Sequence, residues 1–332
     1  MRAFLRGYGR APRKLAVEQM KSWWFNVVLR VEADGERLIL RRYGVTPPEE
    51  VRWELAVLDH LQQDGFPTIA PLLRSDIVDD RLGSFLGKPA ILYPFVEGDR
   101  GCDLDWSVAL AQTTKTIARL HALTEGLAVP YSRVQSGSES RLVVRRLLDL
   151  TAQRGVAANE TALSELLNRA ERAVREFELR LAPHAKGLRR GVVHHDAHCN
   201  NVLFRNNRLV ALIDFDDAYE GYVVADLARM VAHWAADWVT SEALDLGKAV
   251  RVVREYERYR RLTDPERDLL PDFLLLFLLS DGAEYVRGRL ERGADGNTAV
   301  DDSRVYRGYL HHAEDEAWLA AFRDALSRAS QQ

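Results

Sequence analysis

The sequence predicts an α+β fold in two lobes, a small antiparallel-sheet N-terminal part and a larger, mostly helical C-terminal part. Three observations predict it. Asp34-Gly35 joins two runs rich in apolar residues, the apolar periodicity lengthens after Gly98, and one dense polar loop is set between apolar strands inside the helical part. That loop and its sequel read VVHHDAHCNNVLF and LVALIDFDDA, residues 192–204 and 209–218.

Taken in order, FNVVLRVEADGERLILRRYG predicts a β-hairpin, because Asp-Gly readily adopts the left-handed conformations that a two-residue turn requires. PPEEVRWELAVLDHLQQDG predicts a helix. It opens on prolines and an acidic turn, carries Val51, Leu55, Leu58 and Leu61 on one stripe, and stops at Gly65. PAILYPFVEG predicts a compact strand, and we place the boundary at Gly98–Asp103, which gives an N-terminal lobe of residues 1–98 and a C-terminal lobe of 99–332. Beyond it, Trp106 to Leu123 predicts one helix. The stripe Leu163, Leu166, Leu167, Ala170, Val174, Phe177 and Leu181 predicts another, with the Ser/Gly-rich YSRVQSGSESR as a surface loop between them. The run LLPDFLLLFLLS, residues 269–280, predicts a buried helix started by Pro271.

Charge narrows the classes of function. With 46 basic against 49 acidic residues, the chain offers no overall field for nucleic acid or an anionic membrane, and no apolar run reaches the length of a membrane span. Cys102 and Cys199 lie far apart and form no ligand motif, so reduced thiols and a cytoplasmic setting are expected.

The chemistry is concentrated in the polar loop. Moving a phosphoryl group requires a carboxylate at the attacking hydroxyl, a carboxylate and an amide for a metal ion, and a cation near the phosphates. His194-x-Asp196-x-x-x-x-Asn201, followed by an apolar strand ending in Asp214, supplies the first three in order. On these motifs the chain resembles the aminoglycoside phosphotransferase and homoserine kinase-like family, relatives of the protein kinases, over roughly residues 20–290. The resemblance implies a bilobal protein-kinase-like fold and phosphoryl transfer from ATP, with GTP as the alternative. The acceptor it implies is a small hydroxylated molecule: an amino alcohol, a homoserine-like amino acid or an aminoglycoside.

Position by position, the resemblance implies Asp196 as the catalytic carboxylate, Asn201 and Asp214 as Mg²⁺ ligands, His194 as a brace of the loop, and Asp226 as its tie to the next helix. Arg41 falls where the family has its phosphate-binding lysine, with Glu54 as its ion-pair partner, and Tyr93, Pro94, Phe95 and Val96 fall at the hinge that meets the adenine. Two departures stand out. Arginine grips phosphate with a fork rather than a point charge, and the phosphate loop KSWWFN has no glycine, leaving Trp23 or Trp24 to cap the nucleotide.

His195, His198, Cys199, Asp216 and Asp217 stay unassigned, and His121 is expected to be a packed helix histidine. Three other readings compete. One is a transition-metal site built from His194, His195, His198 and Cys199; the others are a protein Ser/Thr kinase and a non-catalytic binding module. For the acceptor, Asp217, Glu220, Asp281 and Glu284 are candidates to meet a cationic amino group, and solvated faces explain them equally well. YERYRRLTDPERDLLPDFLLLFLL resembles a homoserine kinase-like segment, with a helix capped by Thr263 or Asp264 and a second helix opened by Leu-Pro.

Overall fold

The computed structural model describes residues 1–20, 26–133, 139–157, 159–236 and 243–329. These fall into two compact units. The first comprises Met1–Ala109, Leu127–Arg133 and Asn200–Asp217, and the second comprises Leu110–Gly126, Val134–Cys199 and Ala218–Gln332. Compactness therefore groups Asn200–Asp217 with the N-terminal sheet, whereas the change of periodicity at Gly98–Asp103 assigns that stretch to the helical part.

In the first unit, strands β1 (Leu15–Gln19), β2 (Val27–Ala33), β3 (Glu36–Arg42), β4 (Gly83–Phe85) and β5 (Lys88–Pro94) form an antiparallel sheet ordered β1-β2-β3-β5-β4. The expected hairpin is present: Ala33 pairs with Glu36, and Asp34 and Gly35 both hold positive φ. Alternation along the strands divides their side chains between two cores. Leu38, Leu40, Ala90 and Leu92 bury against Leu5 and Tyr8, of which Leu5 lies on the short helix α1 (Arg2–Arg6). Ile91 and Tyr93 pack with Val51 and Leu55 of helix α2 (Pro48–Gln63) on the other side. Arg41 pairs in register with Ile91, so the same alternation sends its side chain to the α2 face. A second sheet joins β6 (Asp99–Arg100), β8 (Val202–Arg205) and β9 (Arg208–Leu212), with Asn206 and Asn207 turning the chain at positive φ.

The second unit carries β7 (Arg190–Val193) paired antiparallel with β10 (Tyr219–Tyr222), a strand the sequence did not announce. Around this pair lie α3 (Trp106–Thr124), α4 (Glu139–Arg154), α5 (Thr161–His184), α6 (Val224–Ala235), α7 (Leu246–Glu257), α8 (Asp264–Glu291), α9 (Gly296–Asp301), α10 (Arg304–Glu314) and α11 (Glu316–Ala329). Helix α8 is buried on nearly all sides, as its apolar composition requires.

Two expectations about this region fail. Pro271 does not start a helix, nor does Leu-Pro open a second one: α8 begins at a Thr263–Glu266 capping box and runs straight through Pro271. Proline lacks the N–H that would bond the carbonyl four residues back, but Pro271 and its neighbours Leu269, Leu270, Phe273 and Leu274 are all buried, and that packing offsets the lost bond. Nor are the cysteines free thiols. Cys102 and Cys199 are both disulfide-bonded. Among the described residues, no helix is long and apolar enough to cross a membrane. Residues 134–138 of the expected surface loop and residues 21–25 of the expected phosphate loop lie outside the described residues.

Candidate active site

Each unit holds a cluster of titratable side chains. In the first unit, Arg41 forms ion pairs with Asp214 and with Asp216, the latter at 3.2 Å. Asn26 lies at the start of this arrangement: its side-chain amide donates to Asp216 at 2.5 Å and its side-chain carbonyl accepts the Gly44 N–H. Asp214 follows β9, whose Leu212 N–H donates to Pro67, and it sits at φ +74, an unusual conformation for a non-glycine residue. Asn201 is buried just before β8, its backbone carbonyl accepting the Ile213 N–H at 2.9 Å. Arg41 and Asp214, expected at the phosphates and at the metal, thus form an ion pair with each other.

Glu54 is not the ion-pair partner of Arg41. It lies on the buried stripe of α2 with Val51, Leu55 and Leu58, where it accepts from the Tyr43 hydroxyl at 2.8 Å and the Tyr93 hydroxyl at 3.3 Å. Burial pushes its carboxyl up to about 7, with the charge of Arg41 and the Tyr43 hydrogen bond opposing the rise. Arg41 goes instead to two carboxylates. Tyr93 spends its side chain on Glu54, while Phe95 donates its N–H to Arg37 and lies beneath that guanidinium; Pro94 pairs with Leu38 and Val96 follows.

The acids of this cluster outnumber its cation. Burial pushes Asp216 up to about 6; Arg41 and Asn26 oppose the rise and neighbouring Asp214 adds to it. A further cation would relieve that crowding. A carboxylate and an amide oxygen at the two open ends of the β8–β9 hairpin, Asn201 just before β8 and Asp214 just after β9, are hard donors of the kind Mg²⁺ takes, so the residues fit such an ion.

In the second unit the balance is reversed. The loop leaves β7 and is tied down by Asp226 on α6, whose carboxylate accepts the backbone N–H groups of His194 at 2.7 Å and His195 at 2.8 Å. His121 completes the tie, one ring nitrogen 3.1 Å from Asp226 and the other 2.8 Å from the Tyr256 hydroxyl. His121 is packed, as expected, and hydrogen-bonded as well. Burial opposes the charge on Asp226, but the His121 hydrogen bond and the backbone donors outweigh it and keep the carboxyl below its usual range. His194 Nδ1 accepts the Asp196 N–H at 3.2 Å, and Trp234 donates to the Ala197 carbonyl at 3.0 Å.

Asp196 is thereby held beside His198 at 3.3 Å and His233 at 3.9 Å. Burial alone would raise its pKa; the hydrogen bond from His198 and the positive charge around it hold the carboxyl well below the ordinary range. His233, largely buried, is pushed down to about 3 by its burial and is neutral at pH 7. Arg229 contacts His195 and lies 4.1 Å over the Phe277 ring. The sequence reading missed Arg229 and His233. Their signal was there: Asp226, Arg229, His233 and Trp234 recur at helical spacing on one stripe of an otherwise apolar α6. His195, like Asp214, holds positive φ, at +76. Among the described residues no three His, Cys, Asp or Glu side chains converge to hold a metal, so the crowding of His194, His195, His198 and Cys199 in sequence does not make a transition-metal centre.

The profile of the phosphotransferase enzyme family (APH) matches residues 17–262. The chain belongs to the phosphotransferase enzyme family. A homoserine kinase of Chelativorans sp. (strain BNC1) is 31% identical over 252 residues, covering 76% of this chain and 71% of that one. Another, of Gluconobacter oxydans (strain 621H), is 28% identical over 267 residues, 79% of each chain. Among solved structures, a microcompartment-associated aminopropanol kinase superposes with a TM-score of 0.72 at 20% identity, over 97% of both chains, and shares the protein-kinase-like fold. This phosphotransferase is therefore an enzyme, a kinase acting on the hydroxyl of a small molecule. The protein-kinase and non-catalytic readings are not favoured.

Proposed function

We propose that the enzyme moves the γ-phosphoryl group of ATP, with GTP as the alternative donor, to the hydroxyl of a small amine-bearing acceptor. Homoserine comes first among these, as the named substrate of the relatives; amino alcohols and aminoglycosides follow. The observation that carries this reading is the state of Asp196: a carboxylate braced by backbone and histidine contacts and kept ionised.

A group with so low a pKa is a poor store for a proton. Its role is to accept a hydrogen bond from the acceptor hydroxyl and aim the oxygen, the proton leaving as the new P–O bond forms. Asn201 and Asp214 are the residues that would hold Mg²⁺, which when bound shields the phosphate charge. Arg41 contributes a guanidinium fork that suits phosphate oxygens once it leaves the two carboxylates. Tyr93, Pro94, Phe95 and Val96 are proposed at the nucleotide base.

The test is ADP release with Mg²⁺-ATP across small alcohols, hydroxy amino acids and aminoglycosides, together with a thermal shift on adding Mg²⁺ and ATP. Turnover of one acceptor class with nucleotide-dependent stabilisation supports the reading. No stabilisation and no ADP release would sink it.

A further inference from the structure

Arg229 is an unexpected neighbour for Asp196 if the acceptor is only a cation. It shares one face of α6 with His233, four residues on, whose Nε2 lies 3.9 Å from Asp196. An aminoglycoside or a simple amino alcohol carries positive charge without a compensating anion. A fixed guanidinium next to the carboxylate that aims its hydroxyl would repel it.

The guanidinium is fixed, yet its donors are not used up. One Nη contacts His195, the plane lies over Phe277, and the other Nη is 3.6 Å from the Asp281 carboxylate, longer than a hydrogen bond. The buried Nε has no hydrogen-bond partner. Asp281 stands one helical turn after Phe277 on α8, and its side chain is 40% exposed against 12% for Arg229. An arginine and an aspartate in a loose ion pair, too long for a hydrogen bond, offer a fork for a carboxylate and an acceptor for an ammonium. The four residues of α6 from Arg229 to His233 rise about 6 Å, comparable to the reach from hydroxyl to carboxylate in a four-carbon hydroxy amino acid.

We propose that Arg229 and Asp281 are specificity-determining residues that read the carboxylate and the ammonium of a hydroxy amino acid of homoserine's size. This rests on the phosphotransfer reading above and names the acceptor class. The relatives' printed substrate is of this class; the aminopropanol of the structural neighbour lacks the carboxylate.

The test compares three acceptors at fixed Mg²⁺-ATP, following ADP release: L-homoserine, 3-aminopropan-1-ol, which lacks the carboxylate, and 4-hydroxybutyrate, which lacks the amine. The wild-type enzyme is expected to prefer homoserine at least about tenfold in kcat/KM over either analogue. Arg229→Gln should lower kcat/KM for homoserine by about 10–100-fold, the range of a lost charged hydrogen bond, and shift the ratio of homoserine to 3-aminopropan-1-ol use toward the amino alcohol. Asp281→Asn should do the same for homoserine while sparing 4-hydroxybutyrate. The wild-type arm needs no variant to fold: equal or better use of 3-aminopropan-1-ol overturns the proposal. So does an equal loss on all acceptors in Arg229→Gln, which would make the arginine a support of Asp196 alone. Both of those leave phosphotransfer standing, whereas no ADP release with any acceptor overturns the proposal and the reading beneath it together.

Discussion

The cluster around Arg41 and the cluster around Asp196 are electrostatic opposites. In the first, Asp214 and Asp216 share one guanidinium, and Asp216 is pushed up to about 6. In the second, one carboxylate sits among His198, His233 and Arg229 and is held well below its normal range. A surplus of carboxylates makes a place that gains from a cation; a carboxylate surrounded by cationic and hydrogen-bonding groups stays ionised well below the usual carboxylate range. Residues of one type therefore serve two purposes, and the surroundings decide which.

The sharpest way to break this contrast is to delete one acid from each cluster. Asp196→Ala should reduce transfer by at least about 10³-fold and leave Mg²⁺-dependent nucleotide binding intact. Asp214→Ala should abolish both, as read by ADP release and nucleotide-induced thermal shift. Equal nucleotide affinity in the two variants would erase the division of labour. Next comes the tie beneath Asp196. Asp226→Ala leaves two buried N–H groups and His121 without their acceptor, a loss of about 3 kcal/mol in unfolding free energy by urea denaturation. An unchanged midpoint would show that the loop holds itself.

pH distinguishes the clusters more gently. Asp216 must be ionised to favour a cation and has a raised pKa, so kcat/KM for Mg²⁺-nucleotide should fall as pH drops through about 6, and Asp216→Asn should remove that limb. A limb unchanged in Asp216→Asn would place the titration elsewhere. Glu54 gives the smallest effect. Its folded pKa, about 7, lies above the unfolded value of 4.5, so its contribution to stability is complete below about 4.5 and is lost as pH rises through about 7. Glu54→Gln keeps an acceptor for Tyr43 and Tyr93 and should flatten the decline in Tm between those limits.

What the sequence disclosed was what is decided locally. Asp34-Gly35 needs only its own backbone preferences to turn a hairpin, and the stripe of α2 needs only its own period. The order Asp196, Asn201, Asp214 was legible because one short segment carries it. Glu54 was misjudged because a partner 13 residues away in sequence competes with two tyrosines whose approach only the folded sheet decides. Pro271 was misjudged because burial along α8 outweighs a local rule. Arg229 and His233 were passed over because a polar residue on an apolar helix acquires meaning only from the loop it faces.

The two left-handed residues, His195 and Asp214, bear on how this segment tolerates change. At most positions glycine is among the poorest replacements for folding, since it enlarges the freedom of the unfolded chain. At these two it relieves a strained backbone while deleting the side chain that meets Arg229 in one case and Arg41 in the other. A saturation scan should therefore rank glycine near the top for folded yield and near the bottom for turnover at positions 195 and 214, with β-branched residues poor by both measures.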